Sequence, residues 1–140
     1  MSKKEKFTGF KKELIEKSEE EFGKEARQAY GDDAVDASQA KLMRMSEESF
    51  AEFDQLGKQI LEKLEKAERT HDPSSALAQE VASMHKEWLL YTWPSYTKEA
   101  HEKLAQIYVD DPKFSEYYQG RAAFLRDAIH IFTGIGKEKG

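Results

Sequence analysis

Between His85 and Tyr118 the chain gathers both of its tryptophans, five of its six tyrosines and two of its four histidines. Aromatic rings stack on flat molecules, and a phenol, an indole or an imidazole adds a polar tip that hydrogen-bonds. The set is suited to holding a planar ligand that carries heteroatoms. Its aromatic positions divide in two. Trp88, Tyr108, Phe114, Tyr118 and Phe124 recur at helical spacing, the pattern of a buried stripe. Tyr91, Trp93 and Tyr96 surround Pro94, where the chain leaves a helix and side chains need not follow a stripe. From the residues alone, a ligand or partner pocket at this break and an aromatic core both fit.

Other chemistries find less support. His71, His85, His101 and His130 include no pair at the i, i+4 spacing of a helical zinc site with a glutamate between them. Asp110 and Asp111 precede Pro112 and read as helix-capping acids rather than metal ligands. A helix with a lone histidine among aromatics suggests heme, but nothing in the sequence selects a proximal ligand and a core histidine explains the pattern. Ser95 and Tyr96 lie between His85 and His101, yet no strand–turn–helix elbow or glycine-rich anion loop accompanies them. The sequence has no cysteine, which removes disulfides, thiolate metal sites and thiol nucleophiles. The expectation is a binding protein, not an enzyme, with no cofactor and no metal.

The elements that must position these residues are helical. No alternating strand pattern occurs, and the three prolines, at 73, 94 and 112, stand where helices should start or stop. A first helix is predicted over about residues 8–30, with Phe10, Leu14, Phe22, Ala26 and Tyr30 on a thin apolar face and Gly31 at its end. Asp32–Met45 reads as a turn and a short helix. Ser46 is a capping residue for a helix that runs to about Thr70 and carries Phe50, Phe53, Ile60, Leu61 and Leu64. Asp72-Pro73-Ser74-Ser75 separates it from a helix bearing Leu77, Val81, Met84, His85, Trp88 and Leu89. Thr97 caps a short helix with Ala100, His101, Leu104, Ile107 and Tyr108 inward. A single last helix is expected from Pro112, with Phe114, Tyr117, Tyr118, Phe124, Leu125, Ala128, Ile129 and Phe132 as its stripe, closed by Gly134 and Gly136. The final GIGKEKG reads as a fraying end.

Composition narrows the partners. One domain is the natural reading of 140 residues. Net charge is −5, which argues against nucleic acid. The one basic cluster, Lys3, Lys4, Lys6, Lys11 and Lys12, reads as a solvated tail. No apolar run reaches the ~20 residues of a membrane span, and the start lacks a signal peptide's apolar stretch, so a cytoplasmic protein is expected.

Several of these residues, taken in order, resemble the TipA-S domain, the antibiotic-recognising effector module of MerR-type thiostrepton-induced regulators. That family has a histidine, tryptophans three and eight residues later, a second histidine, a leucine, a tyrosine, an Asp-x-Arg-Phe stretch and a tyrosine pair. This sequence supplies His85, Trp88, Trp93, His101, Leu104, Tyr108, Asp111-Pro112-Lys113-Phe114 and Tyr117-Tyr118, with Lys113 in the place of arginine. Downstream, Phe124-Leu125-Arg126-Asp127-Ala128-Ile129 is similar to the family's ending. Upstream, Glu25-Ala26-Arg27-Gln28-Ala29-Tyr30-Gly31-Asp32 is similar to its start, with tyrosine for tryptophan. The resemblance covers roughly residues 20–133.

The resemblance implies an all-α, globin-like helical bundle without heme, which binds bulky polycyclic or peptide antibiotics. The expected ligand contacts are His85, Trp88, Leu89, Trp93, Tyr96, His101, Tyr108, Phe114 and Tyr117. Some relatives place a cysteine where Tyr96 stands, so capture here is expected to be non-covalent. Residues 1–19 are expected to form a flexible lysine-rich segment and 20–140 the ligand-binding domain. Residues 1–13 are too short for a winged helix or coiled coil. A stand-alone, drug-sequestering domain, or the effector part of a longer regulator, is therefore expected: a monomer with a small-molecule partner and no direct contact to nucleic acid or membrane. The competing expectation is a protein-interaction module that docks a partner through its aromatic face.

Overall fold

The computed structural model describes residues 2–134. It is all-α: α1 (Lys3–Tyr30), α2 (Asp32–Met43), α3 (Glu47–Glu68), α4 (Ala76–Leu90), α5 (Lys98–Asp110), α6 (Pro112–Tyr117) and α7 (Ala122–Thr133). No strand occurs among the described residues.

The caps explain the boundaries. The Ser2 hydroxyl accepts the Glu5 amide at 3.1 Å, so α1 begins at Lys3 rather than near residue 8. Ser46, Thr97 and Asp111 accept the amides of Ser49, Ala100 and Lys113 at 3.1, 3.0 and 2.9 Å, and thereby start α3, α5 and α6. Gly134 ends α7 in a left-handed conformation; Gly136, expected to share that role, lies outside the described residues, as does most of the expected fraying end.

The single last helix of the sequence reading is two helices. Gln119 and Gly120 both take positive φ, and the amides of Gln119 and Gly120 bond the carbonyls of Glu116 and Ser115. This is the Schellman pattern that terminates a helix. A glycine one residue beyond the left-handed position gave a weak signal, and the apolar stripe ran on across the break.

The described residues form two compact units. One comprises the chain up to Phe53 together with Leu90–Ser95; the other comprises Asp54–Leu89 and Tyr96 onward. The core of the second is a layer of Ile60 and Leu64 from α3, Val81 and Ala82 from α4, Ala105 and Tyr108 from α5, Tyr118, and Leu125, Ala128 and Ile129 from α7. In the first unit, α1 buries only Lys11 and Gly23. Phe10 and Leu14, expected on its inner face, are 48% and 36% exposed. Phe7 and Phe10 instead meet the edge of Phe50 at 5.7 and 5.5 Å.

The basic cluster at the start reads as a solvated tail, but the structure buries its Lys11. Its ammonium donates to the carbonyls of Met43 and Met45 at 2.6 and 2.9 Å and lies 4.3 Å from the centre of the Phe7 ring. A cation at the end of α2 neutralises the orphan carbonyls there.

Candidate functional site

The inner face of α4 carries Ala78, Val81, Ala82, His85 and Leu89, and that of α5 carries His101, Ala105 and Tyr108. Both histidines thus occupy core positions of their helices, and neither has any exposed surface. Burying two imidazoles requires partners for their four ring nitrogens. His85 Nδ1 faces His101 Nε2 at 2.9 Å, His85 Nε2 faces the Tyr108 hydroxyl at 3.1 Å, and His101 Nδ1 faces the Tyr96 hydroxyl at 2.7 Å. The imidazoles are nearly parallel, 8° apart with centres at 5.0 Å. The result is an unbroken chain, Tyr96–His101–His85–Tyr108, that leads from a half-buried tyrosine into the core.

Burial pulls the pKa of both imidazoles well below the ordinary value. His101 lowers His85 further; at His101 the Glu102 carboxylate opposes the shift and the Lys86 ammonium adds to it. Both rings are therefore neutral at physiological pH. Burial also raises the Tyr96 phenol, as does Glu99 nearby. The Lys86 ammonium stands 4.7 Å from the centre of the Tyr96 ring.

Around this chain lie other expected site residues. Trp88 is half-buried with its ring centre 5.7 Å from that of His85. Its indole lies so close to α3 that a β-carbon on Gly57 would sit 3.1 Å from Trp88 Nε1. Phe114 packs on Tyr108 with ring centres 4.8 Å apart, and Tyr118 packs on Tyr108 at the same distance. Tyr117 meets Tyr118 edge-on and is 52% exposed. Leu89 is buried.

Trp93 belongs to the other unit. There it packs on Tyr30 with ring centres 5.7 Å apart. Lys41 fixes the strand of chain that carries it, donating to the carbonyls of Leu90 and Trp93 at 2.7 and 3.0 Å. The preceding Arg27 bonds Glu19, Asp32 and Asp36, and so ties the end of α1 to the start of α2 around Gly31, whose φ is +88°. This gives the Glu-Ala-Arg segment and its Tyr-Gly-Asp sequel a physical role: Arg27 and Gly31 turn the chain, and Tyr30 supports Trp93.

The expected site residues thus fall into three groups. His85, Leu89, His101 and Tyr108 are buried; Trp88, Tyr96, Phe114 and Tyr117 reach the surface of the same unit; Trp93 stands in the first unit. Sequence reasoning paired neither the two histidines nor the lysines at 11 and 41 with backbone carbonyls. Two histidines sixteen positions apart on separate helices carry no local signal of contact. Among the described residues no group of three or more His, Asp or Glu could hold a metal ion, and no helix is long and apolar enough to cross a membrane. An open depression of about 580 Å³ is lined by Glu68, Arg69, His71, Pro73, Phe124 and Asp127, none of them expected site residues.

Comparison with protein families gives a match to the TipAS antibiotic-recognition domain over residues 22–132. No curated protein and no solved structure matches the chain. The match spans most of the sequence, and the chain belongs to the TipAS antibiotic-recognition domain family.

Proposed function

We propose that this member of the TipAS family binds bulky polycyclic or peptide antibiotics reversibly and without catalysis, either as a stand-alone sequestering domain or as the effector domain of a MerR-type activator. The family match over residues 22–132 carries this reading. The distribution of aromatics supports it. Trp88, Tyr96, Phe114 and Tyr117 are partly or well exposed aromatic residues, while the buried histidines tie α4 to α5. Large aromatic residues of this kind provide contact area with few rotors to immobilise.

The test is a titration of the folded protein with thiopeptides and other polycyclic antibiotics, followed by tryptophan fluorescence from Trp88 and Trp93. Saturable quenching or a spectral shift with at least one compound is expected. Silence across a broad panel counts against the reading. A second reading, docking of a protein partner, draws support from Phe10 and Leu14, which stand exposed one turn apart on α1. A stoichiometric protein partner recovered from the native cell without drug, and lost on Phe10→Ser, would favour it.

A further inference from the structure

The Tyr96–His101–His85–Tyr108 chain has a polarity, and that polarity constrains what Tyr96 can offer a ligand. Three contacts join the four side chains, and each needs one hydrogen. A neutral imidazole has one N–H and one acceptor nitrogen, so it must accept on one side and donate on the other. The chain is consequently all-or-none. Either every hydrogen points from Tyr96 toward Tyr108, or every hydrogen points back.

The spacings favour one of the two. Hydroxyl donors make shorter contacts than N–H donors, about 2.7–2.8 Å against about 2.9–3.0 Å. The Tyr96 contact is 2.7 Å, the contact between the imidazoles 2.9 Å and the Tyr108 contact 3.1 Å. Inward polarity assigns the shortest contact to a hydroxyl donor and the two longer ones to ring N–H donors. The reverse assigns the longest contact to a hydroxyl donor and the shortest to an imidazole.

We propose that Tyr96 commits its hydroxyl proton to His101, so that it meets a ligand as a hydrogen-bond acceptor only. His85, His101 and Tyr108 act as positioning residues that fix this polarity. The site then selects ligands that bring an amide N–H or a hydroxyl to Tyr96, and disfavours a carbonyl oxygen or an unprotonated ring nitrogen there. The ligand half of this inference rests on the binding function proposed above; the polarity half does not.

Two measurements test the halves separately. Long-range proton–nitrogen correlation spectra of the histidine rings in the free protein at neutral pH should show His85 and His101 both neutral and both protonated at Nε2. A proton on Nδ1 of either ring, or an imidazolium, overturns the inward polarity. In the second arm, 3-fluorotyrosine is incorporated at position 96 and a thiopeptide is titrated as the probe. The ring fluorine makes the hydroxyl a stronger donor and a weaker acceptor. Affinity several-fold weaker than that of the unmodified protein is expected, with thermal unfolding measured alongside to verify the fold. Unchanged or tighter binding overturns acceptor-only recognition. If the thiopeptide binds neither form, thiopeptide recognition fails and acceptor-only recognition of that class with it, while the ring spectra still decide the polarity.

Discussion

Lowering the pH should unfold this protein early, and the buried histidine pair sets the scale. In the unfolded chain each imidazole titrates near ~6.5. In the folded chain His101 is pulled down to about 4 and His85 further. Between those values the unfolded state binds two more protons than the folded state, so stability falls as pH falls. The slope is about 1.4 kcal/mol per pH unit for each histidine, about 2.7 for the pair. Integrated down to pH 4.5, the pair together removes about 5 kcal/mol. A domain of this size has about 5–15 kcal/mol in total, so a third to all of it is lost by pH 4.5. Glu19 and Asp72, whose carboxyl pKa values are lowered by their hydrogen bonds to Arg27 and Ser74, add losses of the same sign as pH falls through the ordinary carboxylate range.

Urea unfolding followed by tryptophan fluorescence at pH 7.5, 6.5, 5.5 and 4.5 measures the slope directly. His101→Gln, whose amide can still donate and accept, should halve it to about 1.4 kcal/mol per pH unit. Stability that stays flat from pH 7.5 to 5 would refute the reasoning, because it would mean that the folded state protonates these rings as readily as the unfolded chain does.

Four further outcomes are expected. Leu125→Ala, at a side chain with no exposed surface, should lower unfolding free energy by about 3 kcal/mol in the same urea assay. Gly57→Ala should destabilise by about 1 kcal/mol and shift tryptophan emission, because the new methyl presses on the Trp88 indole and outweighs alanine's helix preference; a stabilised variant would contradict that contact. Lys11→Met should speed amide exchange at Arg44 and Met45, where α2 ends beside the carbonyls that Lys11 holds, with exchange at Leu125 unchanged. Intact-mass spectra taken after incubation with a dehydroalanine-containing thiopeptide and denaturation should show no adduct, since a protonated tyrosine hydroxyl at position 96 is a poor nucleophile for conjugate addition.

How much of this was legible in the sequence depended on the range of the interactions. Ser46, Thr97 and Asp111-Pro112 act within one turn of themselves, and the helix starts they signalled are the ones observed. The stripe of α7 and the inner faces of α4 and α5 follow a period that a sequence displays. The break at Gln119-Gly120 was missed because apolar spacing on both sides happened to stay in phase, while the termination came from backbone hydrogen bonds. Lys11 and Lys41 were illegible for a different reason. Each is one lysine among many, and its role depends on a carbonyl 32 to 52 positions away.

The same distinction bears on the two histidines of the family pattern. Read as ligand contacts, His85 and His101 would be expected at a surface, with one ring nitrogen turned outward. Each instead uses both nitrogens on protein groups and has no exposed surface. Substituting either one by an apolar residue leaves a buried polar group without its partner, which costs about 1–3 kcal/mol on its own. A variant at these positions that fails to bind drug therefore says nothing about contact until its unfolding free energy has been measured. Trp88 and Tyr117 are the better probes of contact, because their side chains reach solvent and their removal breaks no link of the hydrogen-bonded chain. If Tyr117→Ala loses affinity at unchanged stability while His85→Leu loses both together, the histidines support the site and the aromatics at the surface form it. If the histidine variants lose affinity at full stability, the buried pair must open to meet the ligand.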